Sequence, residues 1–197
     1  LLDSTGRSCA LAAHTLPSAR GQGEPVTSRL TPPSGAIFEG LLMGNDDQRI
    51  LLASDAGYGF IAKLGDLYTK NKAGKAAINL PKGGRVLPPE VITEGKAWLA
   101  AVSNEGRMLV FPLDELPELA RGKGNKIINI PSARVQSRDE FVVAVTVVGE
   151  SEALKVSSGK RYLNLKFKDL EHYTGERGRR GNKLPRGFQK VDAVEVV

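Results

Sequence analysis

A leucine follows a turn glycine at the same short interval four times in this chain, and that repetition limits what the chain can fold into. The pairs are Gly6 and Leu16, Gly57 and Leu67, Gly106 and Leu116, and, one residue longer, Gly159 and Leu170. The leucines recur at intervals of 51, 49 and 54 residues. A second anchor, an apolar residue followed by proline, returns as Leu80-Pro81, Ile130-Pro131 and Leu184-Pro185, with Leu30-Thr31-Pro32 as a looser copy. Between the anchors lies a glycine-rich basic loop each time: ARGQG (19–23), NKAGK (71–75), ARGKGNK (120–126) and GERGRRGNK (175–183).

A period near 50 residues suits one propeller blade better than a helical repeat. The local patterns agree. RILLASD (49–55), WLAAVSN (98–104) and ALKVSS (153–158) each run into a turn, and YGFIAKL (58–64), RMLVFPL (107–113) and KRYLNLKF (160–167) leave it, so each pair reads as a β-hairpin. In the last, Arg161, Leu163, Leu165 and Phe167 share one face, with Lys160, Tyr162, Asn164 and Lys166 on the other. A further strand is expected to open each repeat, at 36–44, 85–92, 140–149 and 189–197; the first repeat lacks its copy and the chain ends on a spare one. That last strand either completes the first blade and closes a ring, or the ring is open. The expected fold is all-β, with about four blades visible: blades near 34–81, 82–131 and 132–185, a partial blade over 1–33, and a closing or exchanged strand at 186–197. Helix is expected to be scarce, with at most one turn over 115–122. The 22 glycines and 11 prolines fit many short strands.

The net charge of +6 is unevenly spread. Between Lys155 and Lys190 there are eleven basic side chains against Asp169, Glu171 and Glu176, so the rest of the chain is slightly acidic. A localised basic surface attracts a polyanion. Cys9, the single cysteine, excludes an internal disulfide and fits a reducing, cytoplasmic setting as a buried thiol. The chain starts at Leu1 with no basic segment leading into an apolar run, as expected of a piece of a longer polypeptide without a signal peptide. The apolar run Phe141–Val148, broken by Thr146, is too short to span a bilayer.

Several stretches carry a family resemblance: HTLPSARGQGEP (14–25), PPSGA (32–36), SDAGYGF (54–60), EGRMLVFP (105–112), GKGNKIINIPSA (122–133), TGERGRRG (174–181) and LPRGFQKVD (184–192). In this order the chain closely resembles the C-terminal domain of the topoisomerase IV A subunit, of the type IIA topoisomerases. The resemblance implies a β-pinwheel, a disc of four-stranded blades with strands exchanged between neighbours, whose basic rim bends duplex DNA. It implies a non-catalytic segment of an ATP-dependent enzyme that passes one duplex through another and decatenates chromosomes. ATP and Mg²⁺ would act in other domains, and the partners would be double-stranded DNA, an A-subunit dimer and two B subunits. The location would be cytoplasmic, at the nucleoid. Gyrase, the alternative, carries the box Gln-Arg-Arg-Gly-Gly-Lys-Gly; here only Arg121-Gly122-Lys123-Gly124 and Arg179-Arg180-Gly181 are found, which favours topoisomerase IV. A propeller that meets an acidic protein partner is the other alternative.

Glycine lets a backbone approach a phosphate, and arginine supplies a forked donor. The expected DNA contacts are Arg121, Lys123, Lys126, Arg177, Arg179, Arg180, Lys183 and Arg186, with Arg20, Lys70, Lys72 and Lys75 behind them. Neither GKGN (122–125) nor GERGRRG (175–181) has a nucleotide-loop spacing. Arg161-Tyr162 resembles the cleavage pair of these enzymes but sits in a blade strand, so the catalytic tyrosine is expected upstream of Leu1. His14 and His172 lack metal-site company. Trp98 is expected in the core, and Asp55, Asp66, Asp114 and Asp169 in turns and caps.

Overall fold

The computed structural model describes residues 1–197. Its strands in chain order are β1 (Leu2–Asp3), β2 (Arg7–Ser8), β3 (Phe38–Gly40), β4 (Arg49–Ser54), β5 (Tyr58–Lys63), β6 (Lys75–Ala76), β7 (Glu90–Val91), β8 (Lys96–Ser103), β9 (Arg107–Pro112), β10 (Asn125–Lys126), β11 (Val142–Gly149), β12 (Ala153–Ser158), β13 (Arg161–Lys166), β14 (Asn182–Lys183) and β15 (Ala193–Val196). They form four antiparallel sheets, ordered β3-β1-β2-β6, β7-β4-β5-β10, β11-β8-β9-β14 and β13-β12-β15. The first three have four strands and the last has three.

Each sheet is a hairpin flanked by borrowed strands. The strand expected to open the next blade pairs instead with the hairpin before it: β3 with β1, β7 with β4, β11 with β8 and β15 with β12. The short strand of each basic loop pairs with the hairpin one repeat earlier: β6 with β2, β10 with β5 and β14 with β9. The sheets therefore do not follow the contiguous boundaries 34–81, 82–131 and 132–185. The C-terminal strand β15 completes the fourth sheet, not the first.

The turn glycines explain the exchange. Gly6, Gly57 and Gly106 have φ of +83°, +83° and +68°. Their carbonyls accept hydrogen bonds from the chain returning out of the following repeat. Ala77 and Ile78 N–H donate to Gly6 at 2.9 and 3.0 Å, Ile127 N–H to Gly57 at 2.7 Å, and Leu184 N–H to Gly106 at 2.8 Å. A Cβ on Gly6 or Gly57 would overlap the carbonyl oxygen of Ile78 or Ile128. The residues held in this way, Ala77, Ile78, Ile127, Ile128 and Leu184, are all buried.

Three apolar seams join successive sheets. Leu2, Ile50, Leu52 and Phe60 fill the first, Leu51, Leu99, Phe111 and Ile127 the second, and Ala100, Val110, Leu154 and Val156 the third. The middle hairpins are apolar on both faces, which is why 50–53 and 98–102 read as unbroken apolar runs. The fourth sheet has one apolar face; its other face shows Tyr162, Asn164 and Lys166, all exposed. Leu67, Leu116 and Leu170 each fill the seam with the sheet before. Leu16 is half-exposed, because no sheet of this chain precedes the first.

Helix is scarce but displaced from the expected place. Of residues 115–122 only Glu115 is helical, as the last residue of a 3₁₀ turn at Leu113–Glu115: Pro117 biases Leu116 toward extended backbone, and Leu116 has ψ of 130°. The α-helices are α1 (Ser132–Ser137), which starts after Pro131 and ends at left-handed Arg138, and α2 (Phe167–Leu170). Trp98 is partly exposed and packs edge-to-face on Phe167 at 5.7 Å. Asp169 accepts from the Lys166 N–H at 2.9 Å, as a cap. Asp55 does more than turn chemistry: buried, it accepts from the Arg85 N–H at 2.7 Å and pairs with Arg138 at 2.7 Å.

These contacts set two expectations for stability. Gly57→Ala must carry a Cβ at positive φ, worth about 1–2 kcal/mol, and also displace the returning chain, so a loss above roughly 3 kcal/mol is expected. Gly159→Ala, at φ +57° with nothing near its Cβ position, should lose only about 1–2 kcal/mol. Urea midpoints of the two variants check the contrast. The second concerns Glu90, whose carboxylate accepts from the Val147 N–H at 3.3 Å across the second seam. Burial pushes this carboxyl above its ordinary range, against the opposing pull of the Thr146 side chain, the Val147 N–H and Lys96. A raised carboxyl holds its proton more readily folded than unfolded, so stability falls as pH rises through the raised value. Glu90→Gln should be more stable than the parent at pH 7 and lose that advantage below about pH 4, as urea melts at both pH values would show.

Candidate nucleic-acid interface

The short strands β6, β10 and β14 occupy the same edge of three successive sheets, and the basic loops that contain them touch one another. The Asn79 N–H donates to the Gly122 carbonyl at 2.9 Å, and the Asn129 N–H to the Arg179 carbonyl at 2.9 Å. Gly122 and Gly178 N–H return bonds to Ala77 and Ile127 at 3.1 and 2.8 Å. The same rung occurs once more upstream, where the Thr31 N–H donates to the Lys72 carbonyl at 2.9 Å. Loops that are about fifty residues apart in sequence thus form one continuous backbone ladder. The dispersed basic residues become neighbours because the hairpin turns fix where each loop returns.

The ladder sorts the expected contacts. Lys70, Lys72, Arg121, Lys123, Arg179, Lys183 and Arg186 are exposed, and Lys75 and Lys126 are half-buried. Lys123 Nζ stands 4.5 Å from the centre of the Tyr58 ring and Lys126 Nζ 5.6 Å, a cation–aromatic contact that holds both ammonium groups over one residue. Lys126 Nζ also donates to Asn129 Oδ1 at 3.2 Å. Arg179 pairs with Glu176 at 2.8 Å, but both side chains are 71% exposed, so the pair is weak and open to exchange. Arg20 lies in the exposed 12–28 stretch, where its hydrogen bonding is local.

Arg177 and Arg180 are tied inward instead. Arg177 donates to the Lys126 carbonyl at 2.9 Å. Arg180 donates to the Asn129 carbonyl at 2.9 Å and to Glu140 Oε2 at 2.6 Å. Glu140 is fully buried and also meets Arg134 at 3.0 Å, which reaches Glu105 at 2.9 Å. Tyr58, Asn129, Arg134 and Glu140 are the residues that sequence reasoning missed. Tyr58 alone carried a signal, as an aromatic directly after a turn glycine.

No helix is long and apolar enough to cross a membrane. His14 and His172 are exposed, and Cys9 is a buried free thiol whose pKa burial pushes up.

The profile of the family described as DNA gyrase C-terminal domain, beta-propeller, matches residues 48–93 and 97–148. The A subunit of DNA topoisomerase 4 from Pseudomonas aeruginosa is 57% identical over 196 residues, which cover 99% of this chain and 26% of that protein. This chain thus spans about a quarter of the length of the curated relatives it matches. The solved structure of the E. coli ParC C-terminal domain superposes with a TM-score of 0.92 at 50% identity, covering 100% of this chain and 79% of that one. A DNA gyrase A C-terminal domain, at 15% identity and a TM-score of 0.74 over 99% of this chain and 64% of its own, shares the fold.

The two neighbouring arginines should respond differently to truncation. Arg179→Ala should change stability by no more than about 0.5 kcal/mol. Arg180→Ala leaves buried Glu140 with Arg134 alone and should cost about 1–3 kcal/mol. Thermal or urea melts of the two variants check this.

Proposed function

The chain belongs to the family formed by the C-terminal domains of the gyrase and topoisomerase IV A subunits, and from that premise we propose that it binds and bends duplex DNA along the ladder of basic loops. The observation that supports this best is the continuity of the ladder, from Thr31–Lys72 through Asn79–Gly122 to Asn129–Arg179. A row of cations on fixed backbone suits a row of phosphates, and phosphate contacts position a duplex without reading its bases. Lys70, Lys72, Lys75, Arg121, Lys123, Lys126, Arg179, Lys183 and Arg186 are the proposed contacts.

The parent protein is, on this reading, the A subunit of topoisomerase IV, an ATP-dependent type IIA enzyme that assembles with B subunits at the nucleoid. This segment steers which DNA geometry reaches the catalytic domains and carries no chemistry itself. ATP and Mg²⁺ are assigned to other domains. Topoisomerase IV A subunits at 48–57% identity over nearly the whole chain favour this enzyme over gyrase.

Each phosphate neutralised releases counterions and steepens the dependence of log affinity on log salt by about 0.9. Changing Arg179 and Lys183 together to Ala should flatten that slope by roughly 1–2 units, equally on two duplexes of unrelated sequence. Salt titrations by fluorescence anisotropy measure it. An unchanged slope removes the 175–183 loop from the DNA path, and a loss confined to one sequence points to base readout.

A further inference from the structure

Lys123 and Arg180 hold equivalent places, each directly before the glycine that leads into a borrowed strand, and they are used in opposite ways. Lys123 is exposed above Tyr58. Arg180 turns in to the Asn129 carbonyl and to the carboxylate of Glu140, which is inaccessible to solvent. Glu140 follows α1, a helix that has no counterpart in the loops after Leu80-Pro81 or Leu30-Thr31-Pro32.

We propose that Arg180 is a positioning residue, not a phosphate contact: held by Glu140, it fixes Asn129 and so aligns the 175–183 loop with the 120–126 loop. This rests on the DNA-binding reading above and assigns roles within that same surface. Asn129 is the junction. Its N–H donates to the Arg179 carbonyl at 2.9 Å, its own carbonyl accepts from Arg180 at 2.9 Å, and its Oδ1 accepts from Lys126 Nζ at 3.2 Å. One residue thus sets Arg179 of the 175–183 loop against Lys126 of the 120–126 loop. The charges around it close on themselves: Arg180 and Arg134 against Glu140 and Glu105. A guanidinium already neutralised by a buried carboxylate has little charge left to displace counterions from DNA. Arg134 meets the same carboxylate oxygen, Glu140 Oε2, at 3.0 Å, so the carboxylate keeps a second cationic partner when Arg180 moves.

The two roles predict opposite signs for Glu140→Gln. If Arg180 touches phosphate, removing its competing carboxylate tightens DNA binding and steepens the salt slope. If Arg180 positions the loop, the same change weakens binding, by about three- to tenfold, and Arg180→Ala then adds little in the Glu140→Gln background. Arg180→Lys keeps the charge but cannot span both acceptors, so it should behave like Arg180→Ala. The experiment is a double-mutant cycle in DNA affinity on residues 1–197, run below the melting temperature of every variant, with Arg180→Lys in place of Arg180→Ala should the latter not fold. Tighter binding by Glu140→Gln, additive losses, or full rescue by Arg180→Lys overturns the proposal. A DNA-free arm separates it from the binding reading. Hydrogen exchange of the Asn129 amide should quicken in Glu140→Gln and Arg180→Lys, while the Asn79 amide, which makes the same bond to Gly122, stays protected. Unchanged Asn129 protection overturns the positioning role whatever the DNA arm shows. Quickened exchange in a protein that binds no DNA supports the positioning of the loop and overturns only the binding reading.

Discussion

The structure depends on the carbonyl of a turn glycine. At Gly6, Gly57 and Gly106 the hairpin turn presents this group to a chain segment that arrives about seventy to eighty residues later. The positive φ at these turns is one that side chains resist, and at Gly6 and Gly57 the space a Cβ would need is filled by the arriving backbone. The turn therefore serves both as the end of one hairpin and as the dock for the next repeat. Because each dock receives a chain that has already built the following hairpin, adjacent sheets are linked by exchanged strands as well as by their apolar seams. Stability is then shared between neighbours, as in other repeat architectures.

The same docking sets the electrostatics. A two-residue strand such as β10 or β14 could not hold its place alone. It is held by its hairpin partner, by the turn carbonyl and by the adjacent loop. This lets lysines and arginines be brought together without a rigid scaffold of their own. Charge repulsion among them is reduced in specific ways: Tyr58 lies beneath Lys123 and Lys126, Glu176 pairs with Arg179, and Glu140 absorbs Arg180.

Much of this was legible in the sequence, and the failures have definite causes. The period, the hairpins and the basic loops were visible because turn chemistry and strand patterning are local. The partner of each further strand was not, because pairing β3 with β1 or with a later hairpin satisfies the same local pattern. Leu16 copies the spacing of Leu67, Leu116 and Leu170 but lacks a seam to fill, and spacing cannot report a missing neighbour. Arg180 and Lys123 also looked alike. What separates them is Glu140, forty residues from Arg180 and brought to it only by the path of α1.

A preformed ladder also bears on how such a surface could bend a duplex. Bending a 20–30 bp site costs about 1–6 kcal/mol by smooth elastic estimates, which the contacts must offset. A flexible basic tail would in addition lose the entropy of being ordered on the DNA. Here the rungs between loops are backbone hydrogen bonds formed before any ligand arrives. Only the ends of the exposed lysines and arginines remain to be ordered. On the proposed reading, contact energy is therefore available to offset the cost of bending, and the curve imposed on the duplex would be the one along which successive sheets already place their borrowed strands. On that reading the apolar seams matter to binding without touching DNA, because they set how one sheet, and so one rung, sits against the next.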